Sequence, residues 1–278
     1  MSLAPTIGKA GACLLGLTAT AALVLMPETV PAADTSPGQA CAPAPFLDLA
    51  ENERALGDEL EILSWNVQKS SNMGWAEDMA LLGNATDLAF IQEASPVSGI
   101  GNLIPRLLHR AFSRGYTTDT METGVMTLSS GLPDMHCSLT AMEPWLGTPK
   151  ATSVTSYALK DRSDRLLAIN LHAVNFAFGL DDFGQQFADL RHLLDAHEGP
   201  VILAGDLNTW SDKRQSLVDR FASEFDLQPV SFEPDLRTTV FGRALDHVYV
   251  RGLRTLSAEV IPVDTSDHNP LRVRLGLR

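Results

Sequence analysis

The sequence is poor in cysteine and short of positive charge, and it lacks several familiar site motifs. Three cysteines in 278 residues are too few for a disulfide-stapled miniprotein. Lysine and arginine number 21 against 34 aspartates and glutamates, a formal net charge of −13. That deficit excludes a protein that holds nucleic acid by charge alone, because little surplus remains to neutralise phosphates. Any phosphate chemistry would need a metal. There is no internal repeat, Gly-rich nucleotide loop, CxxC pair or HExxH. What is present is 45% hydrophobic and 20% charged residues, a balance that excludes a disordered tail and fits one large domain with a core of its own.

Only residues 11–26, GACLLGLTATAALVLM, form a long apolar run. Lys9 and the amino group precede it, and a polar, proline-bearing stretch follows. This is the order of a secretory signal, with Val30 and Ala32 as the small residues and a cut after Ala32. The competing reading is an uncleaved anchor, for which the run is short against roughly 30 Å of hydrocarbon. Residues 1–32 are thus expected as signal or anchor, 33–57 as a linker and 58–278 as the domain. Losing residues 1–32 removes Lys9 and Glu28 together, so the acidity belongs to the domain. An exported protein would carry Cys41 and Cys137 into an oxidising compartment, periplasmic or extracellular, where a disulfide between them would pin the linker to the domain. Two free thiols are the alternative.

From Glu61 onward, short runs rich in Val, Ile and Leu alternate with amphipathic stretches. Strands are expected at 61–67, 88–93, 124–129, 153–159, 166–173, 200–206, 244–250 and 271–276. Helices are expected at 75–83, 104–112, 183–197 and 212–224, with Pro105 at a helix start. The pattern is α/β. Runs apolar on both faces, such as VILAG, imply sheets covered on both sides.

The informative polar residues stand where these runs end. Asn66 follows EILSW, Glu93 follows LAFIQ, His172 and Asn175 follow LLAINL, and Asp206 and Asn208 follow VILAG. Asp246 opens DHVYV, and Asp267 with His268 precedes the last strand. Ligand sites of α/β sheets form at strand ends. Carboxylates and amides without thiolates are hard oxygen ligands, suited to Mg²⁺ or Mn²⁺. Singly, each such Asp or Asn has a plain reading as a turn or cap residue.

The ordered set LSWNVQ, IQE, NLHAVN, GDLN, LDHVYV and SDHNPL resembles the endonuclease/exonuclease/phosphatase superfamily, which includes deoxyribonuclease I, exonuclease III, the sphingomyelinases and the inositol polyphosphate 5-phosphatases. It is similar above all to the YafD-like bacterial branch, through TGVMTLS, NLHAVNFAFG, GPVILAGDLNTW, FGRALDHVYVRG and SDHNPL. The resemblance spans about residues 60–276. It implies a four-layer α-β-β-α sandwich, two mixed sheets face to face, with the site at one end. It also implies a metal-dependent phosphoesterase of nuclease type, with a phospholipid or small-phosphoester hydrolase and a silent binding protein as the other readings.

Carried over motif by motif, the resemblance makes Glu93 the principal ligand of Mg²⁺ or Mn²⁺, with Asn66 and Asp267 beside it. Asp246 would pair with His268, Asp206 would orient or deprotonate the attacking water, and Asn208 would donate to a non-bridging oxygen. His172 and Asn175 would contact the scissile phosphate from the opposite wall. Family mechanisms leave open whether the Asp or the His is the base. Arg243 could clamp phosphate or be a surface arginine, and Lys69 could reach phosphate or be solvated. His247 should point away from the site because successive strand residues face opposite ways. His109, His136, His192 and His197 are expected to face solvent. Phe176, Phe178 and Phe183 would either pack under a helix or form an apolar rim able to touch a base or a lipid. The expected partner is a phosphoester substrate, nucleic acid or phospholipid, held by a monomer with no stable protein partner.

Overall fold

A computed structural model of the chain describes residues 28–30, 33–34, 41–43, 55–144, 146–175 and 179–278. The apolar run 11–26 and Phe176 to Phe178 lie outside them. Eleven principal strands are β1 (Glu59–Asn66), β2 (Leu88–Ala94), β3 (His109–Thr117), β4 (Glu122–Ser129), β5 (Pro133–Glu143), β6 (Thr148–Ala158), β7 (Arg165–His172), β8 (Val201–Asp206), β9 (Asp246–Arg251), β10 (Leu253–Val260) and β11 (Leu271–Leu277). The longer helices are α1 (Trp75–Gly83), α2 (Asp181–Asp195) and α3 (Asp212–Glu224).

Two mixed sheets result. The first runs β3-β4-β2-β1-β11-β10, with Glu28–Val30 added in parallel to the β3 edge. The second runs β9-β8-β7-β6-β5, with Gln228–Pro229 beyond β9 and the short segments Ala33–Asp34 and Ala42–Pro43 on β5. Parallel pairing of β1 with β2 and of β7 with β8 accounts for the strand runs that are apolar on both faces.

Strand periodicity builds the layers. On β1, Leu60 and Ile62 enter a core with Phe90, Val273, Ala168, Ile202 and Val248, between the sheets. Their neighbours Leu63 and Trp65 turn outward to Met79 and Leu82 of α1. On the second sheet Ile169, Leu171 and Leu203 turn outward to Phe183, Phe187, Val218 and Phe221 of α2 and α3. The order is helix, sheet, sheet, helix, the α-β-β-α sandwich. Among the described residues no helix is long and apolar enough to cross a membrane.

Helices α1 and α3 match their expected limits, and α2 begins two residues early. The expected helix 104–112 does not exist. A single turn ends at Leu103, Ile104 and Leu107 are buried, and His109 starts strand β3. Pro105 therefore follows the turn rather than opening a helix. Strands β3, β5 and β10 were not expected. On β10 a run of exposed residues, Arg254 to Ser257, separates the buried ends, so an edge strand shows no alternation to read. Cys41 and Cys137 form a disulfide with a Cα separation of 4.7 Å.

Candidate active site

Register sets the site before any side chain is considered. His172, Asp206 and Asp246 stand opposite one another on adjacent strands β7, β8 and β9. They form a row at one end of the second sheet. Asn66 occupies the corresponding end of β1, level with Gln92, and its Nδ2 donates across the gap to Asp206 Oδ2 at 3.2 Å. The polar row thus bridges the two sheets.

Local backbone features aim these groups. Between Ile91 and Ala94, β2 carries one residue more than its partner β4. Glu93 sits on that bulge with φ 52°, a conformation that costs about 1–3 kcal/mol and turns its side chain out of the pleat. Gly205 has φ 144°, and a Cβ there would overlap the Leu171 carbonyl oxygen. Only glycine lets β8 approach β7 so closely just before Asp206. Asn208 takes φ 48°, which asparagine tolerates. Its backbone N–H donates to Asp206 Oδ1 at 3.1 Å, and its Nδ2 to the Ala173 carbonyl at 3.0 Å.

His268 is almost fully buried. Its Nδ1 lies 2.7 Å from Asp246 Oδ2, and its Nε2 lies 3.9 Å from Asp206 Oδ2. Burial disfavours the imidazolium, yet Asp246, by charge and hydrogen bond, and then Asp206 and Asp267 outweigh it and carry the pKa up to about 10. Asp206 moves up to about 6, chiefly by burial, with His268 opposing. His172 goes well below its usual value, through burial and then the charges of Lys150, His268 and Lys69.

Asn66, His172, Asp206 and His268 open into one cavity of about 420 Å³, lined also by Glu93, Asp267, Asn175, Asn208, Lys69 and Lys150; Asp246 stands behind the wall, bonded to His268. Eight of the ten expected site residues therefore line one cavity, and Asp246 joins them through His268. Arg243 does not: it pairs with Asp212 on α3 and lies off the cavity wall, so the phosphate clamp is withdrawn.

A model of the endonuclease/exonuclease/phosphatase family matches residues 63–268, the stretch that carries every one of these groups. The chain belongs to the endonuclease/exonuclease/phosphatase family. A UPF0294 protein of Vibrio cholerae is 38% identical over 224 residues, 80% of this chain and 79% of that one. One of Photorhabdus laumondii is 38% identical, covering 78% and 83% of the two chains. Among solved structures, an endonuclease/exonuclease/phosphatase from Beutenbergia cavernae superposes with TM-score 0.60 at 14% identity, covering 79% and 72% of the two chains. The human Nocturnin catalytic domain with bound sulfate anion gives TM-score 0.60 at 15% identity, covering 81% and 96%. At such identity these structures establish a shared fold.

Several contacts of this family member lie outside its motifs. Lys150 Nζ is 3.0 Å from His172 Nε2 and 4.0 Å from Glu143 Oε1. Buried Arg214 donates to the carbonyls of Val174 (2.6 Å), Asn175 (2.8 Å) and Asn208 (3.2 Å), holding both site loops. Its guanidinium stacks 4.5 Å above Phe183 and 4.6 Å from Trp210. A basic residue inside an amphipathic helix gives no signal of this in sequence. His247 does point away, bonded to Thr209 Oγ1 at 2.6 Å. His136 departs from expectation: it is fully buried on β5, between Ser113 (3.2 Å) and Ser153 (3.0 Å). His197 is also half-buried rather than solvent-facing, with Nε2 3.1 Å from the Pro200 carbonyl.

Proposed function

We propose that the protein hydrolyses phosphodiesters by in-line attack of water, with a divalent cation as cofactor. The observation that carries this is the buried His268–Asp246 pair at 2.7 Å, facing Asp206 at 3.9 Å, in the cavity that also holds Glu93, Asn66 and Asp267. The buried trio Asp206, Asp246 and His268 could itself ligate a metal, but the Nδ1 and Oδ2 atoms of His268 and Asp246 are engaged with each other. The Glu93 and Asp267 carboxylates are the hard oxygen donors left, with the Asn66 amide oxygen, which already accepts one bond from the Gln68 backbone N–H at 3.0 Å, beside them; they fit Mg²⁺ or Mn²⁺, which need only one or two carboxylates beside water and substrate. Bound there, the cation would neutralise charge on the phosphoryl oxygens.

The chain's own groups divide the remaining work. Asp206 orients the water and takes up its proton, and the neighbouring His268, held as the imidazolium, offsets the charge. Asp246 fixes the His268 ring, so that Nε2 faces the reacting group. Asn175, on the far wall, supports the substrate. Leu146 and Val240 line the cavity and are exposed, and Phe241 next to Val240 is 86% exposed. That apolar rim favours, as a second reading, a phosphoester with an apolar alcohol, a phospholipid included. The Cys41–Cys137 disulfide supports the proposal that the protein is exported, and it is proposed to act as a monomer.

The test is a panel of single-stranded and duplex DNA, RNA, sphingomyelin, inositol phosphates and a generic phosphodiester, each with Mg²⁺, Mn²⁺ or EDTA. Cleavage that needs the cation is expected, and the substrate turned over separates the two readings. Cleavage unaffected by EDTA refutes the mechanism.

A further inference from the structure

Among the described residues lining the cavity there are two lysines and no arginine. Lys69 is exposed on the turn after β1. Lys150 differs: it lies near the start of β6, with its side chain only 18% exposed. Its nearest polar partner is an imidazole. The Glu143 carboxylate, 4.0 Å away, is already bonded by the Asn175 backbone N–H at 2.8 Å and the Thr148 hydroxyl at 2.6 Å. A lysine present only to neutralise Glu143 would close to hydrogen-bond distance on it. Here Lys150 is held instead 3.0 Å from His172 Nε2.

That contact fixes the tautomer of His172. An ammonium has only protons to give, so Nε2 must accept, and the ring proton resides on Nδ1. Asp206 Oδ2, at 3.4 Å from the same nitrogen, is the weaker competitor. His172 therefore cannot donate from Nε2 to a phosphoryl oxygen, as its motif position suggests. An ammonium has three donors, so with one serving His172 and Glu143 4.0 Å away it retains the capacity to donate into the cavity that Lys150 lines.

We propose that Lys150 is the group that contacts the phosphoryl oxygens of the substrate from this wall, and that His172 is the positioning residue that aims it. The proposal rests on the phosphoesterase reading and adds a phosphate-binding residue outside the family motifs. A lysine is a point charge without the bidentate fork of arginine, so it can hold a phosphoryl group while tolerating changes in the esterified alcohol.

The test uses the full chain and inorganic phosphate as probe. Binding is followed by calorimetric titration in EDTA, and again as competitive inhibition of phosphodiester hydrolysis with Mg²⁺. Lys150→Met is expected to weaken phosphate about tenfold or more, the loss of one charge-assisted hydrogen bond. Lys150→Arg should stay within about threefold. His172→Gln, whose amide oxygen still accepts, should lose less than Lys150→Met. In the wild type, ¹⁵N shifts should report His172 as the Nδ1–H tautomer. Phosphate binding within about twofold of wild type in Lys150→Met, or in Lys150→Gln should the first variant not fold, overturns the proposal. So does a wild type that binds no phosphate under either condition. A wild type that binds phosphate through Lys150 but hydrolyses no phosphoester refutes the hydrolase reading instead.

Discussion

The ring of His268 is oriented by one contact, Nδ1 to Asp246 Oδ2 at 2.7 Å, so changing that carboxylate to an amide tests the role at constant shape. Asp246→Asn removes the charge that holds the imidazolium and lets the ring take the other tautomer. The expected outcome is a fall in kcat of about a hundredfold or more with KM little changed, read from steady-state kinetics on one phosphodiester. A second residue-scale prediction concerns stability. His136 is buried and its pKa is pushed down to about 4 by that burial, so the folded protein keeps it neutral while the unfolded chain, near 6.5, takes up a proton. The unfolded state then binds more protons below pH 6.5, and its stabilising contribution is lost as pH falls from 6.5 through about 4. The loss is on the order of 3 kcal/mol. Denaturant midpoints against pH should slope in that window, and His136→Leu should reduce the slope by its share, leaving the part due to His247, whose pKa burial also pushes down to about 4. At this scale the sequence was readable where residue type and strand end coincided, as for Glu93, Asp206 and His268. It was unreadable for Lys150 and Arg214, whose importance comes from partners distant along the chain.

Arg214 on α3 ties three carbonyls of the loops after β7 and β8. Burial lowers its pKa only to about 10, so it stays a cation at neutral pH. Arg214→Met keeps most of the volume but strands those carbonyls. It should cost about 2–4 kcal/mol in denaturant unfolding and raise KM by loosening Asn175 and Asn208. The disulfide acts between elements, fastening the segment at Cys41 to β5. Reduction, or Cys41→Ser, should lower stability by about 2–4 kcal/mol in the same measurement. Elements with two covered faces, such as β7 and β8, were legible because their apolar runs have no other explanation. Strands β3, β5 and β10 were not: on β3 the alternate buried positions are the small residues Ala111, Ser113 and Gly115, which give no apolar signal, and on β5 and β10 polar and exposed runs break the period-two pattern. Pro105 misled for a related reason: it looks the same at the end of a turn as at the start of a helix.

At the scale of the whole molecule, the four layers follow from sheets that are apolar on both sides, and the row His172, Asp206, Asp246 follows from the pairing of β7, β8 and β9. No local pattern contains that pairing, so the convergence of nine residues was legible only through the order of the motifs. The net charge of −13 has a consequence here too. A polyanionic duplex should be repelled at low ionic strength and cleaved faster as salt rises toward physiological levels, whereas a small phosphodiester should show little salt dependence. Rates measured from low to moderate salt check this. This cavity is proposed to hydrolyse phosphodiesters with the His268–Asp246–Asp206 group and a cation. The most direct test is the initial rate on a generic phosphodiester for wild type and His268→Ala, each with Mg²⁺ or EDTA. Turnover is expected from wild type with Mg²⁺ alone, with a drop of about a hundredfold or more in His268→Ala. Equal rates in the two proteins, or turnover that persists in EDTA, would contradict the proposal.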